Sequence, residues 1–150
     1  NATILYVTHD QAEATTLADK IGVLKEGKIV QIGTPEEIYE NPNSIYVSQR
    51  LGSPKINVLP GSLFNINDNI PTFGIRPENI LLGVGKYSGK TISIENLGSE
   101  TVVAINFEGH EVLSSIQGIY KSSINETINF DINLNKVLKF DKKGNRINER

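Results

Sequence analysis

A histidine between a threonine and an aspartate is the residue of this sequence best placed for chemistry. Residues 3–7 form a continuous apolar run rich in β-branched side chains, which predicts a strand buried on both faces, and Thr8, His9 and Asp10 follow it directly. Side chains at the carboxyl end of such a strand face the usual ligand crevice of α/β folds. An imidazole N–H there can donate to a terminal phosphate oxygen and help to position an attacking water. The competing interpretation is that His9 is a capping or surface residue.

The residues that follow His9 predict the helix that would support it. Four apolar positions have the i, i+3, i+4, i+7 spacing that places one stripe on a helix: Ala14, Leu17, Ala18 and Ile21. Asp10 is placed to cap the first turn of this helix. Strand, polar turn and helix together predict a βα unit at the start of the chain.

A hairpin and two more helices are predicted between residues 21 and 51. Two short β-prone runs, 21–24 and 29–32, flank a glycine-containing turn at 25–28 and predict a hairpin. Thr34 can cap the next helix, Pro35 suits its first position, and Glu37 completes a capping box. A further short helix is predicted around residues 44–51.

The character of the sequence changes at Gly52, where we place a domain boundary between residues 1–51 and 52–150. Downstream, short β-type runs are separated by Gly, Asn and Pro, with no convincing helix. The predicted strands are 57–66, 72–76, 79–82, 91–96, 101–107, 110–115, 126–132 and 137–140. Strand 101–107 alternates in a way that predicts one wetter face. Many short antiparallel strands favour a small barrel or sandwich.

Composition and charge exclude several classes of protein. The formal net charge is -2, and no basic run could follow a phosphate backbone, so nucleic acid is not an expected partner. The chain has no cysteine, which removes thiolate chemistry and cysteine-based zinc sites. No window approaches the roughly 18 apolar residues of a membrane-spanning helix, and the N-terminus does not resemble a signal peptide.

The sequence contains no complete phosphate-binding loop. The nearest match is Gly89-Lys90-Thr91, but Gly83 and Gly85 stand one position away from the required spacing. The residues that follow alternate like a strand, so we interpret this stretch as a polar hairpin turn. An acidic Walker B dyad and a Ser-Gly-rich signature are also missing. ATP binding is therefore not expected of these residues alone.

Three further polar residues have competing interpretations. Arg76 and Glu78 flank Pro77 at a predicted barrel rim, where they could form an ion pair or contact another subunit. The alternative is that both are exposed, solvated charges, which contribute about 0 to 1 kcal/mol as a pair. His110 follows a turn at Glu108 and has no second histidine near it in sequence, so we predict a turn residue and no metal site.

Several stretches resemble the ATPase subunits of ABC transporters. Residues 5–14 (LYVTHDQAEA) and 16–21 (TLADKI) resemble their switch-histidine region, and 27–39 (GKIVQIGTPEEIY) resembles the end of the nucleotide-binding domain. Residues 51–57 (LGSPKIN) narrow the resemblance to importers of maltose, glycerol phosphate and similar solutes. Residues 73–78 (FGIRPE), 94–101 (IENLGSET), 140–141 and 144–147 are similar to the C-terminal regulatory domain of those subunits, an OB-like β-barrel called a TOBE domain.

The resemblance implies a fold and a set of roles. The fold is mainly β, an OB-like (TOBE) barrel preceded by an α/β remnant of the nucleotide-binding domain. His9 would sense the γ-phosphate of ATP, and Asp10, Gln11 and Glu13 would lie near the dimer and membrane-subunit surfaces. ATP and Mg would bind only the full-length subunit, so the chain alone should be inactive.

The same resemblance implies partners and a location. The expected partners are a second copy, the permease subunits of the importer and a possible regulatory protein on the barrel. The subunit would be cytoplasmic, held at the inner face of the plasma membrane through the permease. Because Asn1 is not an initiator, we expect a fragment of a longer subunit, and the transported solute is not readable from these residues.

Two other classes of function remain as alternatives. The chain could be a stand-alone OB-like module that binds a small oligosaccharide, an anion or a regulatory protein. A single-strand nucleic-acid binder would need a positive groove with stacking aromatics, which five Phe and five Tyr in an acidic chain do not favour. We also predict that residues 1–51, separated from a parent sheet, are partly disordered or packed against a second copy.

Overall fold

The computed structural model describes residues 2–65 and 69–148, which divide into two compact units. The first unit ends at Gly52 and the second begins at Ser53. Within the described ranges, no helix has the length and apolar character needed to cross a membrane. Each unit has a hydrophobic core of its own.

The first unit consists of short helices around one hairpin. Its elements are α1 (Gln11–Leu17), β1 (Ile21–Lys25), β2 (Lys28–Gly33), α2 (Pro35–Glu40) and α3 (Ile45–Ser48). Glu26 and Gly27 form the turn with φ angles of 49° and 74°. Two consecutive left-handed residues match the twist of paired strands, which is why such turns dominate two-residue hairpins. The predicted hairpin is confirmed.

The predicted capping box also forms at the start of α2. The Thr34 hydroxyl oxygen accepts from the Glu37 N–H at 3.1 Å, and the Glu37 carboxylate accepts from the Thr34 N–H at 2.8 Å. The two bonds satisfy backbone donors that the first helical turn leaves open. They fix α2 so that Ile38 is buried against the hairpin residue Val23.

The prediction of a buried strand at residues 3–7 is wrong. Residues 2–7 have no strand structure, and their side chains are exposed, with Leu5 at 92% and Val7 at 87%. A parallel strand exists only when neighbouring strands satisfy its backbone N–H and C=O groups. In the described part of the chain, β1 and β2 pair only with each other, so residues 3–7 have no ladder to join.

The predicted helix after His9 is shorter than its apolar pattern suggested. α1 ends at Leu17, Ala18 adopts an extended conformation as the C-cap, and Ile21 opens β1. No residue of α1 is buried, and Leu17 is 73% exposed. Local spacing can predict a stripe, but the stripe needs a surface to pack against before it stabilises further turns.

The second unit is mainly β, as predicted. Its strands are β3 (Asn57–Pro60), β4 (Thr72–Ile75), β5 (Ile80–Asn96), β6 (Glu100–Phe107), β7 (His110–Gln117), β8 (Thr127–Ile132) and β9 (Leu138–Phe140). Short 3₁₀ helices occur at Gly61–Phe64, Pro77–Asn79 and Leu134–Lys136. The strands form two antiparallel sheets, of order β3-β4-β9 and β7-β6-β5-β8. This arrangement is consistent with an OB-like fold.

An aromatic cluster forms the centre of the second unit. Phe64, Tyr87, Phe107 and Phe130 have ring centroids 5.1–5.7 Å apart, several of them edge to face. The hydroxyl of the half-buried Tyr87 donates to the Phe64 carbonyl at 3.0 Å. This geometry stabilises aromatic pairs beyond the effect of area alone. The cluster therefore links β5, β6 and β8 with the 3₁₀ helix Gly61–Phe64.

The side chain of Asn57 joins an edge of one sheet to an edge of the other. Its amide nitrogen donates to the carbonyls of Ile75 at 3.0 Å and Leu113 at 2.8 Å. Its amide oxygen accepts from the Leu113 N–H at 2.7 Å. Leu113 belongs to the edge strand β7, whose outward N–H and C=O need partners. The Asn57 side chain supplies both.

Three predicted strands have different limits in the structure. The strand predicted at 57–66 ends at Pro60 and continues as a 3₁₀ helix, and its last position lies outside the described residues. The strands predicted at 79–82 and 91–96 are two ends of the single strand β5. Leu82 and Tyr87 both stand opposite Phe130, so residues 83–86 leave the ladder as an exposed bulge.

The structure corrects two further predictions in this sheet. Gly89-Lys90-Thr91 is not a hairpin turn but lies inside β5, paired with β6 and β8. The predicted wetter face of β6 is exposed at Asn106 but buried at Val102 and Ala104, because neighbouring structure covers both sides of that part of the strand. A period-2 pattern shows which face is more apolar, whereas burial depends on what packs over each face.

Candidate functional site

The site predicted from the sequence lies where the extended N-terminal residues enter α1. Asp10 is the N-cap of α1, and one of its carboxylate oxygens accepts from the N–H groups of Ala12 at 2.8 Å and Glu13 at 3.1 Å. His9 immediately precedes this cap, and its side chain is exposed. The capped turn therefore presents the imidazole to the outside of the unit.

A second set of hydrogen bonds surrounds His9. The hydroxyl of Thr8 donates to the Glu13 carboxylate at 2.8 Å, and the hydroxyl of Tyr6 donates to the same oxygen at 3.3 Å. The Thr8 hydroxyl oxygen also accepts from the Asp10 N–H at 3.0 Å. Residues on both sides of His9 are thus tied to the first turn of α1.

This geometry limits the chemistry that the turn can perform. Two of the first-turn amides of α1 already donate to Asp10, so they are engaged by a side chain of the same turn. The carboxylates of Asp10 and Glu13 also add negative charge beside the helix start. The N–H groups of Ala12 and Glu13 are therefore not open to an approaching anion unless Asp10 is displaced.

The structure brings four of the predicted site residues together. His9, Asp10, Gln11 and Glu13 belong to the same capped turn, where Gln11 is half-buried and Glu13 is exposed. Arg76 and Glu78 belong to the second unit. The first group lies together because its members are close in sequence at the start of one helix.

The interpretation of Arg76 as an exposed, solvated charge is wrong. Its side chain is 4% exposed, and its carbonyl accepts from the Asn79 N–H at 2.9 Å in the 3₁₀ turn Pro77–Asn79. The turn Pro77–Asn79 packs against β7, and Glu78 stays exposed. Buried arginines are rare unless they interact with other polar groups. Arg76 is therefore an internal part of the second unit.

The other chemical candidates lie in regular β-structure. Gly89 could not carry a side chain, because a Cβ there would lie 2.3 Å from the Ile105 side chain. His110 is the first residue of β7 and stands opposite Phe107, after the turn at Glu108. Over residues 2–65 and 69–148, no group of three or more His, Asp or Glu side chains could hold a metal ion.

Sequence reasoning missed the contribution of Tyr6 and Thr8. Tyr6 was assigned to a buried strand and Thr8 only to the end of that strand, so neither was expected to contact α1. A usable signal was present for Thr8, because Ser and Thr hydroxyl groups commonly bond to backbone groups a few residues away. The side-chain role of Asn57 had no such local signal, since its partner is Leu113.

Comparison with known proteins finds relatives over most of the chain. The sn-glycerol-3-phosphate import ATP-binding protein UgpC of Bartonella bacilliformis is 37% identical, covering 96% of this chain and 46% of the relative. The alpha-glucoside transport ATP-binding protein AglK of Rhizobium meliloti is 31% identical, covering 96% of this chain and 48% of the relative. An uncharacterized ABC transporter ATP-binding protein of Sinorhizobium fredii is 37% identical over 77% of this chain.

No family model matches the chain. The chain spans about half the length of the curated relatives that cover nearly all of it. Those relatives carry the same description, an ATP-binding protein of a transport system, and the match includes both compact units. The chain therefore belongs to the family of ABC transporter ATP-binding proteins.

Proposed function

We propose that this chain is the C-terminal part of the ATP-hydrolysing subunit of a bacterial ABC importer for sugars or related solutes. The observation that carries the proposal is the similarity of 96% of the chain to UgpC and AglK, whose names describe glycerol-3-phosphate import and alpha-glucoside transport. The relatives are twice as long as the match. The remaining nucleotide-binding residues would then come from the part of the subunit that this chain does not span.

His9 is the residue of this chain that would contact ATP. Its exposed imidazole stands on a capped turn and offers one N–H donor, which is what a γ-phosphate oxygen requires. Bound ATP would supply the phosphoryl group that is transferred to water. The chain contributes a positioned hydrogen-bond donor, and stabilisation of the developing charge is the main form of catalysis in phosphoryl transfer. We assign no Mg ligand to the residues of this chain.

The two compact units would have different tasks in this function. The first would be the end of the nucleotide-binding domain, with Asp10, Gln11 and Glu13 near a second copy and the permease subunits. The second would be a TOBE-type regulatory domain that stabilises the dimer or receives a regulatory protein. The subunit would then act at the cytoplasmic face of the plasma membrane through its permease.

A chimera provides the test. The part of Bartonella bacilliformis UgpC that this chain does not match is joined to residues 1–150, and ATP hydrolysis is measured beside unaltered UgpC. We expect hydrolysis by the chimera and a loss of roughly 100-fold or more in His9→Ala, as for removal of other transition-state donors. His110→Ala is the matched control, because it removes the other histidine of the chain from a strand end.

Two results would contradict the proposal. A chimera that folds but hydrolyses no ATP under conditions in which UgpC is active would show that this chain cannot serve as the C-terminal part of such an ATPase subunit. Equal ATPase activity in His9→Ala and His110→Ala would show that His9 makes no contact with ATP that matters for hydrolysis. ATP turnover by the 150-residue chain alone would contradict the assignment of the other nucleotide-binding residues to the missing part.

A further inference from the structure

We draw no further inference here: the strongest candidate, the exposed apolar face that Leu24, Ile29 and Ile32 form on the β1–β2 hairpin of the first unit, carries none, because the chain spans only about half the length of its relatives and nothing in the structure shows what covers this face.

Discussion

Replacing Asn57 with alanine should destabilise the second unit by about 3 kcal/mol. The substitution removes three hydrogen bonds, of 2.7, 2.8 and 3.0 Å, made by a side chain that is 5% exposed. It leaves the N–H and C=O of Leu113 facing a gap between two sheet edges. Each buried backbone group without a partner costs about 1–3 kcal/mol, and partial access of water at Leu113 favours the lower part of that range.

An isosteric variant separates the hydrogen bonds from the shape of the side chain. Asn57→Asp keeps an acceptor for the Leu113 N–H but turns a second oxygen toward the carbonyls of Ile75 and Leu113. The repulsion disfavours the carboxylate, so the pKa of the new carboxyl should be raised in the folded state. A raised acid pKa means that the folded state binds the proton more tightly, so stability should fall as pH rises through that pKa.

Hydrogen exchange at the buried amides of Val103 and Val112 gives the assay, because it reports opening of the second unit separately from the first. Asn57→Ala should speed this exchange by about 100-fold, the equivalent of about 3 kcal/mol. Asn129→Ala, at an exposed position of β8, is the control and should change stability by less than about 0.5 kcal/mol. A loss below 1 kcal/mol in Asn57→Ala, or an Asn57→Asp variant as stable as wild type at neutral pH, would refute this account of how the sheets are joined.

Three other substitutions test local features of the fold. Thr91→Val should leave stability unchanged or raise it by about 1 kcal/mol, because the Thr91 hydroxyl is buried with no hydrogen-bond partner among the described residues; a clear loss in urea unfolding would contradict this. Hydrogen bonds from the Ser122 hydroxyl and the Ser123 N–H lower the pKa of Glu126. The contribution of this carboxylate is therefore present above its unfolded pKa and disappears as pH falls through the folded pKa, so Glu126→Gln should differ from wild type at neutral pH and converge with it in acid. A constant difference across that pH range would argue against the mechanism. Thr34→Ala should cost about 1 kcal/mol by removing the capping bond of α2, which thermal unfolding of the first unit would detect.

The sequence predicted the elements whose causes are local. The capping box of Thr34 and Glu37, the turn at Gly27 and the cap at Asp10 formed as expected, because their partners lie within a few residues. Motifs around His9 also predicted the family, which the relatives bear out. The assignment of His9 to a phosphate remains a prediction.

The sequence was less informative wherever a distant segment decides the outcome. The apolar run at residues 3–7 predicted a strand, but a strand requires partners that the described part of the chain does not supply. Arg76 was interpreted as exposed, because the local sequence does not show that the folded second unit buries it.

Residue types and short spacings alone therefore determined the helix caps, the hairpin turns, the mainly β character of the second unit and the resemblance around His9. Only the tertiary structure decided that β5 runs through two predicted strands and that Asn57 joins two sheet edges. The physical reason is that caps and turns satisfy hydrogen bonds within a few residues, whereas burial and sheet closure depend on groups that folding brings together from far along the chain.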